Sequence, residues 1–174
     1  MTTLKERERN EIYDRSVSIE KLLADTDIIL IDTCSILHMG FFPFLMRSAE
    51  AFRWSHRKIY LLNATVRELE KLSLFGDEDL KERAARALDL LEKMSQYRIL
   101  TVAGDADNPE INDAQLVEYA LRFRMVKRLA VITQDYQLSR DLERINRLQS
   151  YYGNDVLLYK FNADNLLYKR IILF

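Results

Sequence analysis

The spacing of apolar positions changes several times along the chain, and each change marks an element. Between residues 4 and 24, charged positions interleave with Ile12, Val17, Ile19, Leu22 and Leu23, a pattern that predicts one or two helices. Ile28-Ile29-Leu30-Ile31 follows as an unbroken aliphatic run ending in Asp32. A short run without alternation suits a strand covered on both faces, as in a parallel sheet. Helical spacing returns from Phe44 to His56, and Ile59-Tyr60-Leu61-Leu62 is a second strand. Thr65 to Leu74 is helical, with Gly76 as its stop signal. Asp79 to Gln96 carries the clearest amphipathic stripe, with Leu80, Ala84, Ala87, Leu88, Leu91 and Met94 at helical spacing.

The alternation continues to the end of the chain. Arg98 to Val102 predicts a third strand, Gly104 to Asn112 an acidic loop, and Asp113 to Phe123 a helix. Leu129-Ala130-Val131-Ile132 is a fourth strand running into Thr133-Gln134-Asp135. Tyr136 to Tyr151 reads as helix and Asp155 to Tyr159 as a fifth strand. Strands alternating with helices pair in parallel through right-handed crossovers, so the expected class is α/β with a mostly parallel sheet of about five strands. Such sheets place their sites at the carboxyl ends of the strands. Neither repeat nor linker divides the chain, which reads as one domain over 1–174, with 1–26 a helical extension and 160–174 an apolar tail. That tail, which includes Leu166, Leu167, Tyr168 and Ile171 to Phe174, is expected to dock on its own domain or on a partner.

Composition narrows the class. Apolar residues at 48% and charged residues at 30% support a packed core and exclude a disordered chain. Only 4 Gly and 2 Pro speak against a loop-rich all-β domain. The single Cys excludes an internal disulfide and a multi-cysteine zinc site, and points to a reducing compartment. The apolar runs are too short to span a bilayer and the polar amino terminus is not a secretory signal. The expectation is a soluble cytoplasmic protein without a membrane partner.

Candidate chemistry lies in the acids. Asp32 and Asp135 follow two of the aliphatic strands, Glu68 sits one turn into the helix after the second strand, and Asp113 opens the helix after the acidic loop. Each position projects toward the carboxyl edge of the expected sheet. Singly, a carboxylate there is more often a cap or a solvated group, and Asp113 suits a helix N-terminus on those grounds alone. Together, converging carboxylates raise one another's pKa unless a cation neutralises them. Oxygen-only donors suit Mg²⁺ or Mn²⁺, and two such ions about 4 Å apart can activate water and stabilise the leaving oxygen of a phosphodiester. A P-loop, a G-x-G-x-x-G and a G-x-S-x-G motif are all missing, which removes support for nucleotide-binding and serine-hydrolase readings.

Four segments carry a resemblance. Ile31-Asp32-Thr33-Cys34-Ser35-Ile36-Leu37, Val66-Arg67-Glu68-Leu69, Asn112-Asp113-Ala114-Gln115-Leu116 and Val131-Ile132-Thr133-Gln134-Asp135-Tyr136 occur in this order. The set resembles the signature of the PIN-domain ribonucleases, spanning Asp27 to Tyr159. Any one segment is weak and the ordered set is specific. The resemblance implies a three-layer α/β/α sandwich and an endoribonuclease using Mg²⁺ or Mn²⁺, with Asp32, Glu68, Asp113 and Asp135 as the acidic quartet. Thr133 matches the hydroxyl residue that hydrogen-bonds within the family's site. The sequence departs from many members at Asn63, where Pro is common, and at Gln134, where Asn is common. Neither departure removes an acid. VapC-type toxins are the nearest functional branch, which adds an antitoxin or other inhibitor protein, and a homodimer, to the partners the resemblance implies beside RNA.

The net charge of -1 conceals an uneven distribution. Gly40 to Tyr60 holds Arg47, Arg53, Arg57 and Lys58 against Glu50, and Arg122, Arg124, Lys127 and Arg128 form a second basic run. The functional reading makes Arg53, Arg57, Lys58, Arg122, Arg124, Lys127 and Arg128 a phosphate-tracking rim around the acidic centre. The bland reading is solvated helix faces. Phe41, Phe42, Phe44 and Trp54 fit core or dimer packing better than base stacking, though Arg53 and Trp54 are worth testing for RNA contact. Cys34 reads as a small buried hydrophobe, His38 as a weak candidate at the site edge, and Asp141 as facing away. Asp105, Asp107 and Glu110 read as a solvated loop. The rivals to the ribonuclease reading are an inactive RNA- or protein-binding module and a DNA or flap nuclease.

Overall fold

The structure, a computed structural model, describes residues 13–104, 112–148 and 153–171. Among these residues the sheet has seven strands: β1 Tyr13–Ser16, β2 Ile28–Ile31, β3 Ile59–Leu62, β4 Leu100–Ala103, β5 Leu129–Ile132, β6 Val156–Phe161 and β7 Leu167–Arg170. Its order is β1-β7-β6-β5-β2-β3-β4. The helices are α1 Ile19–Asp25, the single turn α2 Thr33–Ile36, α3 Phe41–Ser55, α4 Asn63–Phe75, α5 Glu78–Gln96, α6 Asn112–Phe123 and α7 Tyr136–Arg147.

Strands β2 to β6 are parallel to one another, and they are the five strands the pattern predicts. β2 and β5 are buried at every residue because helices cover both faces. Successive side chains of β2 divide between the layers. Ile29 and Ile31 pack with α1, α3, α4 and α5 residues such as Leu22, Phe52, Leu69 and Leu91. Ile28 and Leu30 pack with Leu116 and Ala120 of α6 and with Leu138, Leu142 and Ile145 of α7. The result is three layers, helices on each side of one sheet, and the expected α/β/α sandwich stands.

Two expectations need correction. Among the described residues before β2, Tyr13–Ser16 is a strand and Ile19–Asp25 is helix. Tyr13 and Ser16 pair with Arg170 and Tyr168 of β7, with an irregular register between them, which helical spacing does not reveal. The apolar tail is likewise a strand, with Leu167, Tyr168 and Lys169 opposite Phe161, Lys160 and Tyr159 of β6. Both are antiparallel additions, so the sheet exceeds the five strands expected. The acidic loop with Asp105, Asp107 and Glu110, the end of the helix expected to reach Tyr151, and Ile172 to Phe174 lie outside the described residues. Among the described residues no helix is long and apolar enough to cross a membrane.

Candidate active site

The chain leaves β2 and returns as β3 on one side of it, whereas β5 lies on the other. Strand order therefore reverses between β2 and β5, and a crevice at the carboxyl ends of such a pair is where α/β sheets take their ligands. Asp32 ends β2 and Thr133-Gln134-Asp135 follows β5, so the sequence delivers acids to both lips of that crevice.

Asp32 is 2% exposed. One carboxylate oxygen accepts from the Ser35 backbone N–H at 2.7 Å and so caps the α2 turn. The other accepts from the Thr133 hydroxyl, whose oxygen accepts in turn from the Asp135 N–H at 2.9 Å. Asp135 itself caps α7, accepting from Leu138 N–H at 2.7 Å. Glu68 accepts from the Thr33 hydroxyl at 2.5 Å. That hydroxyl belongs to a chain across three helices: Thr65 donates to the Asn112 side-chain oxygen at 2.6 Å, and the Asn112 amide reaches Thr33 at 3.4 Å. Thr33, Thr65 and Asn112 are buried and were not singled out by sequence reasoning. The available signal was their place, beside Asp32, one turn before Glu68 and beside Asp113.

Electrostatics shows the four acids in one field. Burial pushes Asp32 up to about 6, against the downward pull of the Thr133 and Ser35 hydrogen bonds, and Asp113 adds to the rise. Asp113 is raised by its own partial burial and by Asp135, Glu68 and Asp141. Cys34 lies among them all: burial, then Asp32, Asp135, Glu68 and Asp113, pushes its thiol up to about 12. The Cys34 expectation is thus corrected: the residue is open to solvent on α2 amid the acids, and the protein around its inner side still raises the thiol. Asp141 is corrected too, since its charge reaches Asp113 while it pairs with Arg144 at 2.9 Å.

The donor set fits a hard divalent cation by chemistry: oxygen only, mutually repelling, with one carboxylate deeply buried. Among the described residues no three acidic, His or Cys side chains stand together as a ready-made cage. Asp32, Glu68 and Asp135 each accept hydrogen bonds from protein donors.

The basic rim is the main correction. Arg57 and Lys58 precede β3, Arg128 precedes β5, Arg53 lies in the last turn of α3, and Arg122, Arg124 and Lys127 lie at or after the end of α6. All seven are at the amino edge of the sheet, opposite the acids. Arg57 and Arg128 pair with Asp27 at 2.9 and 3.0 Å and hold its carboxyl well below the usual range. Arg122 pairs with Glu118 at 3.5 Å. Arg124 is buried, donating to the carbonyls of Asn154 and Ile145 at 2.9 and 2.5 Å. Of the aromatics, Phe41 and Phe44 are core, while Phe42 and Trp54 are exposed.

A cavity of about 610 Å³ opens between the α2–α3 corner and α5, with Leu37, His38, Phe42, Met46, Arg83 and Arg86 on its walls and none of the four site acids among them. His38 stacks on Phe161 with ring centroids 5.6 Å apart and accepts from Gly40 N–H at 3.0 Å. Gln134, with its amide oriented to satisfy both groups, donates to the Phe161 carbonyl at 3.0 Å and accepts from its N–H at 2.7 Å. It extends the β5–β6 ladder and leaves the acids untouched.

The fold recurs in a solved structure, that of the PIN domain endonuclease Utp24. The two align with a TM-score of 0.52 over 83% of this chain and 92% of that one, at 14% identity. The fold is PIN-like. At that identity the likeness concerns the PIN-like fold alone. No protein-family model and no curated protein sequence matches the chain.

Proposed function

We propose that the chain is an endoribonuclease dependent on Mg²⁺ or Mn²⁺, with Asp32, Glu68, Asp113 and Asp135 holding the cation. The observation that carries this reading is the meeting of four carboxylates from four separate segments at one sheet edge, all of them acting on Cys34. Only hydrogen bonds from Thr133 and Ser35 lower Asp32, and the influences on Asp113 all raise it, so no cationic side chain is seen acting against the repulsion of these acids. When bound, the metal supplies stabilisation of charge on a phosphodiester and a lowered pKa for water. The chain's own residues do the positioning. Thr133 and the Ser35 N–H fix Asp32, Thr33 aims Glu68, and Asn112 fixes Thr33. We assign no single acid as general base, because coupled carboxylates titrate as a group.

Asp32→Asn and Glu68→Gln, assayed on labelled single-stranded RNA with Mn²⁺ and with chelator, test the reading. Both variants are expected to lose cutting by at least ~100-fold, as loss of a metal or charge-stabilising group does. Undiminished cutting in chelator, or by both variants, sinks it. The want of a ready-made metal cage favours a second reading, a PIN-like module that binds RNA or protein without cleavage. That reading wins if the unaltered protein binds RNA and cuts no strand in Mn²⁺. A matched DNA strand separates a DNA nuclease, since the 2′-hydroxyl is what distinguishes the two. As a biological role we assign the toxin of a toxin–antitoxin pair acting in the cytoplasm and restrained by an inhibitor protein. Induced expression of the unaltered chain should then arrest growth, and Asp32→Asn should not.

A further inference from the structure

At the amino edge of the sheet, α3 ends at Ser55 and α5 ends at Gln96, just before β3 and β4 begin. A cavity of about 470 Å³ opens there, lined by Phe52, Arg53, His56, Lys58, Tyr97 and Arg98. Its walls carry three full positive charges and no acid. Of the other cations of this edge, Arg57 and Arg128 are taken by Asp27, Arg122 by Glu118 and Arg124 by buried carbonyls, and Lys127 lies outside this cavity. Among the described residues, the side chains of Arg53, Lys58 and Arg98 have no hydrogen bond or ion pair.

Two helix carboxyl ends point at this edge, each worth about half a negative charge, so they offset only one of the three cations. His56 and Arg98 close those helices with φ of 55° and 60°, at the left-handed position where Gly or Asn is usual. The chain places an imidazole and a guanidinium there instead. Two large aromatics stand in solvent alongside, Trp54 next to Arg53 at 84% exposure and Tyr97 on the cavity wall at 63%. Unpaired cations interleaved with exposed aromatic rings suit a single strand of nucleic acid, with phosphates on the cations and bases on the rings.

We propose that Arg53, Lys58 and Arg98, with Trp54 and Tyr97, form a second, non-catalytic binding site for single-stranded RNA at the amino edge of the sheet. It rests on the ribonuclease reading for the identity of the strand. β3 separates the two edges, so the site stands roughly 15–20 Å from the acids, and only a strand of several nucleotides engages both.

The test is fluorescence anisotropy of a labelled 20-nucleotide oligouridine strand over a range of salt, beside Mn²⁺-dependent cleavage of that strand and of a tetranucleotide. The triple variant Arg53→Gln, Lys58→Gln, Arg98→Asn should weaken binding and lower the slope of log K against log salt by about 2, at ~0.7 per phosphate for single strands. Asn is chosen at Arg98 because it tolerates the left-handed backbone. Trp54→Ala and Tyr97→Ala should each weaken binding about tenfold with the slope unchanged, the size of one lost stacking contact. Cleavage of the tetranucleotide should stay constant in all variants while KM for the long strand rises. Thermal unfolding midpoints check that the variants fold.

Binding and slope unchanged in the variants overturn the proposal. So does a charge effect without an aromatic one, which marks a general polyanion contact, or a change only in oligomeric mass, which marks an interface between copies. If the protein cuts nothing but binds RNA through these residues, the second site stands and the ribonuclease reading falls. If it cuts RNA with binding indifferent to them, the reverse holds. If it neither binds nor cuts, both fall.

Discussion

Asp32 carries most of the cost of the acidic edge. Its carboxyl is raised from 3.8 to about 6 by burial, so between these values the folded protein holds a proton that the unfolded chain has released. Stability from this group is therefore fully present below about pH 4 and is lost as pH rises through about 6. In chelator, the unfolding midpoint should fall across that window, and Asp32→Asn should flatten the fall. Mn²⁺ should raise the midpoint more at pH 7 than at pH 4, because it binds the ionised acids. Equal shifts at both values count against a cation at these residues. Asp27 works the other way: its lowered pKa contributes stability above about 4, lost as pH falls, and so leaves the upper window to Asp32.

At the scale of elements, two polar contacts decide where segments meet. Asn112 joins the start of α6 to Thr65 on α4 and Thr33 on α2. Asn112→Ala leaves the buried Thr65 hydroxyl without its acceptor and removes a donor from Thr33, and should cost about 1–3 kcal/mol in denaturant unfolding. It should also lower cleavage, because Glu68 loses the fixed Thr33 that aims it; full activity at reduced stability would confine Asn112 to a packing role. On the other flank, Arg170 of β7 meets Glu143 of α7 at 2.6 Å, both nearly buried, and lies 5.7 Å over the Tyr136 ring. Arg170→Met leaves the buried Glu143 carboxylate with only the longer contact to Arg140 at 3.6 Å, at a cost of up to about 3–5 kcal/mol. The double change with Glu143→Leu should recover much of it. The pattern of apolar spacing made the five parallel strands legible, because Ile28–Ile31 and Leu129–Ile132 are buried on both faces and contain nothing else. β1 and β7 escaped it, because an edge strand such as Leu167-Tyr168-Lys169-Arg170 is defined by its partner.

Over the whole molecule, charge is divided along the strand axis. The four site acids lie at the carboxyl ends of the strands and the basic runs at the amino ends, a division that the total of -1 conceals. Asp27 clamps the amino ends of β2, β3 and β5 through Arg57 and Arg128. Asp27→Asn should lower stability by about 1 kcal/mol, discounted for partial exposure, while leaving the acidic edge and any cleavage unaffected. A matching loss of activity would mean that the two edges are mechanically coupled.

By itself the sequence determined which acids reach one edge, because a residue that directly follows a parallel strand, or opens the next helix, has nowhere else to go. Asp32, Glu68, Asp113 and Asp135 were readable on that rule, and Thr133 only through the family resemblance. Only the tertiary structure decided what surrounds them. Local spacing cannot tell which end of the sheet a basic run occupies, nor that Arg124 is spent on carbonyls, nor that Cys34 faces the acids instead of the core. Those depend on which side of the sheet each crossover passes and where each helix ends, and that is settled by packing among segments far apart in the chain.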